Sequence, residues 1–304
     1  MERVPRQVDP AGLHRIGEGG NGCAYRTDDG RVAEVYDKGG PSRERVEREC
    51  AAAREALACG ILAAPPLETI RAGDAFGVVY EPAGARTIGQ AVAAEPRRCD
   101  EWARRLAAFV RGLHTTEMRR DRLPDARLVL NGWTDVAEAS GLHAPSAIAR
   151  LRGLVDGIGD AATFVHGDLH PASVLVTGDD ELVLIDLADA SVGHPAIDLA
   201  GISHVMRVAV RRPGGATRLL GMPLELVDRL WSAFVRAYFA TDDATDVERI
   251  ERALAFVALP RAMGDNARSR LIDDETRARR AKELERALMA GCPDLDLDGL
   301  RPRR

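Results

Sequence analysis

Between residues 11 and 37 the apolar positions come in short runs broken by glycine and turn residues, the spacing of strands rather than helices. Leu13–Ile16 and Gly22–Arg26 read as two strands flanking a glycine cluster. Thr27-Asp28-Asp29-Gly30 then reads as a hairpin turn into a third strand over Arg31–Tyr36, with Gly30 supplying the positive φ. Gly39-Gly40-Pro41-Ser42 ends the pattern and offers Ser42 as N-cap of a helix over Arg43–Cys59, which Gly60 stops. Leu67–Arg71 and Phe76–Tyr80 are two further strands. After residue 84 the period turns helical, over 87–95, 99–119 and 144–157. In the second of these, Trp102, Leu106, Phe109, Val110 and Leu113 fall on one apolar face. A strand–loop–strand unit at about 163–187 interrupts the helices, which resume to about residue 290. Asp294 through Arg304 are expected to be loosely held. The pattern predicts an α+β protein of two lobes: a small β-rich N-lobe with one helix, residues 1–82, and a larger, mostly helical C-lobe, residues 83–304.

Charge and cysteine usage narrow the function. Against 42 basic residues stand 47 acidic ones, and a net charge of -5 excludes a protein that coats nucleic acid. No apolar run approaches the roughly 18 residues of a membrane span, and the opening Met-Glu-Arg-Val-Pro-Arg has no secretory core. Cys23, Cys50, Cys59, Cys99 and Cys292 lack metal-ligand spacing, so zinc is not expected and the chain reads as reduced and cytoplasmic. The only lysines are Lys38 and Lys282, so any chemistry that needs a lysine has two candidates.

Two motifs carry candidate chemistry. Gly17-Glu18-Gly19-Gly20-Asn21-Gly22 is a Gly-x-Gly-x-x-Gly loop, whose backbone N–H groups can approach a polyphosphate with no Cβ in the way. It sits between two strands rather than opening a helix, which suits a phosphate-covering hairpin and not a dinucleotide fold; a plain glycine-rich hairpin is the alternative. The second motif runs from His166-Gly167-Asp168-Leu169-His170-Pro171 through Ser173-Val174-Leu175-Val176 to Leu184-Ile185-Asp186. An aspartate before one short strand and a second after the next put two carboxylates on one cleft edge. Phosphoryl transfer uses such a pair: one orients or deprotonates the accepting hydroxyl, the other holds Mg²⁺.

With Asp189, Gly193-His194-Pro195 and Asp198-Leu199-Ala200 added, the stretch 166–200 resembles the aminoglycoside phosphotransferase family of kinase-like enzymes, to which choline and homoserine kinases are related. The resemblance extends over roughly residues 12–204 and takes in Gly77–Glu81 as connector strand and Leu113-His114 at a helix end. It implies a two-lobed, protein-kinase-like fold with ATP or GTP and Mg²⁺ between the lobes, and a hydroxyl-bearing acceptor: a small metabolite, an antibiotic-like natural product, or a peptide serine or threonine. By the same resemblance Asp168 is the catalytic aspartate, His166 braces its loop and Asp198 holds that loop from the next helix. Asp186 and Ser173 take the metal positions; Gly17, Gly19 and Gly22 cover the phosphates, Glu81 and Ala83 border the adenine, and Glu49 is the helix glutamate.

Two positions depart from the family pattern. The strand lysine that pairs with the helix glutamate is replaced by Glu34, and the metal-binding asparagine by Ser173. Each unit charge at about 4 Å and an effective dielectric near 20 is worth about 4 kcal/mol before screening, so the sign reversal at position 34 is severe. Three remedies stay open: Arg26 supplies the cation, Lys38 swings in, or Glu34 turns to solvent; Arg26 is favoured because its strand lies over the phosphates. A pseudokinase, keeping the fold as a nucleotide- or partner-binding scaffold, is the alternative function. His170 and His194 read as loop-structuring, Arg211–Gly215 as a solvated turn, and the 14 acidic and 13 basic residues of 241–304 give no sign of an acidic pocket for a polycation.

Overall fold

The computed structural model describes residues 5–18, 22–36, 43–212, 214–269 and 272–302. Its strands are β1 (Arg6–Gln7), β2 (His14–Glu18), β3 (Gly22–Arg26), β4 (Val32–Tyr36), β5 (Pro66–Ala72), β6 (Ala75–Tyr80) and β7 (Arg86–Thr87). Four short ones follow: β8 (Thr163–Val165), β9 (Val174–Val176), β10 (Leu182–Leu184) and β11 (Ser191–Gly193). The helices are α1 (Arg43–Ala58), α2 (Ile88–Ala94), α3 (Cys99–Thr115), α4 (Arg127–Ala139), α5 (Pro145–Asp156) and α6 (Ala196–Arg207). The last five are α7 (Gly215–Leu220), α8 (Leu224–Phe239), α9 (Ala244–Val257), α10 (Leu259–Arg268) and α11 (Asp274–Ala290). Packing divides the chain into two compact units, residues 1–87 with 173–190, and residues 88–172 with 191–304.

The first unit is a six-stranded sheet, ordered β1-β5-β6-β4-β3-β2, with α1 on one face and the small sheet β10-β9-β7. The Thr27–Gly30 turn closes as its sequence implies, Gly30 at φ 83° and Gly30 N–H donating to Thr27 O at 2.9 Å. Alternation along β4 sends Ala33 and Val35 to one core with Ile70 and Val79, and Tyr36 to the other with Val46, Cys50 and Val78 under α1. Gly22 is fixed by this pairing: it faces Tyr36 across the ladder, and a Cβ there would lie 2.3 Å from Val35 O. Gly60, at φ 80°, ends α1 where a side chain would be strained.

The second unit is helical. In α3, Trp102, Leu106, Val110 and Leu113 are buried as the spacing predicts, against α8, whose Trp231, Phe234 and Tyr238 stack in series. Each such full burial contributes about 2 kcal/mol. β8 pairs antiparallel with β11, Val165 opposite Ser191, and so draws the two ends of the 166–190 segment together. Two expectations give way. Residues 127–139 form α4, where the sequence pattern had marked no helix; its polar and small residues dilute the apolar stripe. Near the C-terminus Leu300 is 2% exposed and Arg301 Nη2 donates to Asp160 O, so that stretch is packed rather than loose. Among the described residues no helix is long and apolar enough to cross a membrane.

Candidate active site

In the first unit the β4 register decides where Glu34 points. It lies opposite Ala24 on β3 and Val78 on β6, on the face shared with Tyr36 and α1. Its carboxylate, with those of Glu49 and Asp186, forms a cluster whose nearest oxygens all lie within 4.8 Å of one another. The remedy in which Glu34 turns to solvent is therefore overturned: with period two along a strand, no other face is available without slipping every residue of β4. Burial, and after it the charges of Asp186 and Glu49, push the Glu34 carboxyl well above the usual carboxylate range.

Glu49, 3% exposed on α1, has found substitutes for the lysine. Tyr36 donates its hydroxyl to Oε2 at 2.5 Å and Tyr80 donates to Oε1 at 2.7 Å. Burial raises the Glu49 carboxyl, while these two hydroxyls and the nearby Arg45 work to lower it. Arg45 itself reaches Asp189 at 3.3 Å. Asp186 sits at φ 61°, ψ 54°, a left-handed conformation uncommon outside glycine and found preferentially at functional loops. Ser173 is fully buried, and its carbonyl accepts from Ile185 N–H at 3.0 Å, one residue from Asp186. Three hard carboxylate donors this close fit a Mg²⁺ ion by ligand chemistry, with Asp186 and Glu34 as the acids whose oxygens the tyrosines do not occupy.

The same unit holds a cleft of about 610 Å³ lined by Ile16, Arg26, Val32, the Pro82–Ala85 connector and the 177–181 turn. Arg26 and Ala83, both assigned to nucleotide from sequence, lie in its wall, whereas Gly17 and Gly22 are outside its lining. Arg26 stands opposite Val32, on the same face as Glu34. Glu81 is outside the lining; its N–H donates to Pro65 O at 3.0 Å and its carboxylate faces Arg31 at 3.8 Å. Gly19 and Lys38 lie outside the described residues.

In the second unit the loop after β8 is stapled from α6. Asp198, 1% exposed, accepts from the N–H groups of His166 and Gly167, each at 2.8 Å, and lies 3.1 Å from Nε2 of His114. His114 Nδ1 is in turn 2.7 Å from the Tyr238 hydroxyl. Asp168 projects from the stapled loop with 41% of its side chain exposed, and pairs with the guanidinium of Arg261 on α10. Burial acts to raise the Asp168 carboxyl, but Arg261 and then His170 outweigh it and hold it at about 2. An aspartate so acidic orients a hydroxyl and accepts its proton late rather than removing it in advance.

Three histidines share one local device: Nδ1 of His166, His170 and His194 each accepts the backbone N–H two residues on, at 3.2, 3.2 and 3.1 Å. These bonds shape the three loops. Burial carries His170 and His194 down to about 4. The consequence for stability has a definite sign. Below an unfolded pKa of about 6.5 the unfolded chain takes up a proton that the native His194 refuses, so stability is full above pH 6.5 and is lost as pH falls toward 4. Urea denaturation at pH 7.5 and 5.0 should show this loss in the wild type and a smaller one in His194→Asn; equal losses would remove His194 from the account.

Residues 14–251 match the model of a phosphotransferase enzyme family. The chain belongs to that family. It is 28% identical over 172 residues to methylthioribose kinase of Geobacillus thermodenitrificans, a stretch that is 56% of this chain and 38% of that one. Its fold is similar to that of an ADP-bound aminoglycoside phosphotransferase, APH(2'')-Ib, with TM-score 0.57 and 16% identity over 90% of this chain and 92% of the other. It is also similar to ethanolamine kinase of Plasmodium vivax, with TM-score 0.58 and 12% identity over 90% and 80%. The fold is thus kinase-like, with a β-sheet N-terminal region and a helical C-terminal region. The matches span less than half the length of the curated relatives, 44% and 38%.

Sequence reasoning missed Arg261, Tyr36 and Tyr80. The two tyrosines carried a signal, since Tyr36 follows Glu34 by two on β4 and so shares its face. Arg261 carried none: it is one arginine among many, 93 residues from the aspartate it meets.

Proposed function

We propose that the protein is a nucleotide-dependent phosphotransferase that moves the γ-phosphoryl group of ATP, or of GTP, to a hydroxyl of a small molecule. In the transfer a new P–O bond forms to the acceptor oxygen, the bond from Pγ to the bridging oxygen breaks, and the hydroxyl proton passes to Asp168. The observation that carries the reading is the aspartate loop of the second unit: Asp168 is presented to solvent while the backbone behind it is pinned by Asp198. Holding the acceptor in line is most of what such an enzyme supplies. Asp186, with Glu34, is assigned to the metal, and bound Mg²⁺ neutralises phosphate charge. The cleft walled by Ile16, Val32 and Ala83 has the apolar faces that suit a purine, and Arg26 is the cation for its phosphates.

A thermal-shift titration with Mg·ATP tests this reading, because a ligand bound only by the native state raises the melting temperature. The wild type should rise, and Arg26→Ala should need about tenfold more nucleotide for the same rise, while Lys38→Ala should match the wild type. Equal behaviour of the two variants would remove Arg26 from the phosphate site. The inward Glu34 favours one second reading, the nucleotide-binding pseudokinase. That reading gains if Mg·ATP raises the melting temperature and no ADP is released on long incubation.

A further inference from the structure

Beside the catalytic loop the second unit builds a wall of positive charge. Arg261 and Arg268 lie seven residues, about two turns, apart on the same face of α10, and both guanidinium groups sit over the Trp133 ring, 5.6 and 5.5 Å from its centroid. Trp133 is a fixed platform: α10 passes so near that a Cβ on Gly264 would lie 2.6 Å from Trp133 O. Arg261 meets Asp168, whereas Arg268 is exposed and has no carboxylate partner among the described residues. The next acid on this face, Asp265, is already shared by Arg212 at 2.6 Å and His204 at 3.2 Å. Burial lowers both His170, to about 4, and His204, and so disfavours their charged forms. Two buried nitrogens of this wall, His204 Nδ1 and Arg212 Nε, have no hydrogen-bond partner among the described residues.

We propose that the Arg261–Trp133–Arg268 corner is the acceptor subsite and that it selects an anionic acceptor, a hydroxyl compound bearing a carboxylate or phosphate, whose anion docks on Arg268 and whose hydroxyl is delivered to Asp168. The proposal rests on the phosphotransferase reading and sharpens it. Charge decides the class: Asp168 and Asp265 are each already paired with an arginine, so among the described residues of this wall a polyamine would meet the unpaired Arg268 and no unpaired acid, whereas an oxyanion gains charge-assisted hydrogen bonds from a planar fork held over an aromatic ring. Arg261 then has two tasks, holding Asp168 before the acceptor arrives and sharing the acceptor's negative end afterwards.

Trp102 and Trp231 are at most 1% exposed, so quenching of the half-buried Trp133 reports on this corner. The protein is titrated with D-gluconate, ribose 5-phosphate, uncharged ribose and polycationic kanamycin. Saturable quenching is expected from gluconate, from ribose 5-phosphate or from both, and the stronger of the two identifies carboxylate or phosphate as the anion. Binding should weaken at least tenfold in Arg268→Glu and be retained in Arg268→Lys; Arg268 is exposed, so neither change threatens the fold. The proposal is overturned if neither anion quenches, if Arg268→Glu binds as well as wild type, or if kanamycin binds more tightly than both anions. A parallel Mg·ATP thermal shift and ADP-release assay keeps the outcomes separate: their failure sinks the phosphotransferase reading, whereas normal nucleotide behaviour with no anion binding sinks this inference alone.

Discussion

Asp168→Asn lowers ADP release about 1,000-fold while the Mg·ATP thermal shift survives. The asparagine keeps the shape of the side chain but cannot take the acceptor's proton, and it gives up the charge that fixes Arg261. A positioned base contributes roughly 10²–10⁴ in rate, and loss of the Arg261 tether adds misplacement of the acceptor. Nucleotide binding is assigned to residues of the first unit, so it should change little. The readout is steady-state ADP release beside a Mg·ATP melting curve for the same sample. Turnover within tenfold of wild type would remove Asp168 from the chemistry.

Asp198→Ala destabilises the protein by about 3–5 kcal/mol, the range for leaving buried polar groups without their charged partner. Its carboxylate, 1% exposed, serves the N–H groups of His166 and Gly167 together with Nε2 of His114. Alanine strands all three where His166 and His114 are themselves buried, at 0% and 2% exposed. The melting temperature should fall on the order of 10 °C, and turnover should collapse with the loop that presents Asp168. Asp198→Asn keeps one acceptor oxygen and should lose less on both counts. A loss under about 1 kcal/mol in urea denaturation of Asp198→Ala would mean that the loop is held by something else.

Most of the fold was legible because strong local signals agreed with one another. The Thr27–Gly30 turn, the Gly60 stop and the apolar face from Trp102 to Leu113 each rest on side-chain period or on a positive φ that glycine tolerates. Helix α4 was not legible, since its buried face is Leu130, Thr134 and Ala137, one polar and one small residue among three, and much of its burial comes from α10, about 120 residues further along the chain. At the candidate site the same divide holds. The 166–198 motif named its acids, and Asp198 does reach the N–H groups of residues 166 and 167. The consequences of Glu34 were not legible, because they depend on which neighbours share a sheet face. Only the β4 register shows that Glu34 joins Glu49 and Asp186 while Tyr36 and Tyr80 occupy the glutamate that a lysine would hold. Gly22 teaches a related lesson: its small size is demanded by Val35 O across the ladder, whether or not a phosphate ever passes near.

The reversal at position 34 also changes what the metal must do. With a lysine, part of the phosphate charge is met by the protein; with Glu34 turned inward, a divalent ion held by Asp186 and Glu34 would have to supply that counter-charge and draw the raised Glu34 carboxyl into its charged form. Nucleotide binding in this chain should therefore depend steeply on Mg²⁺. Calorimetric titration of ATP into wild type and Asp186→Ala, each with and without Mg²⁺, measures that dependence. The account predicts that Mg²⁺ tightens ATP binding at least tenfold in the wild type and hardly at all in Asp186→Ala. Tight ATP binding without Mg²⁺, or an undiminished Mg²⁺ effect in Asp186→Ala, would contradict it.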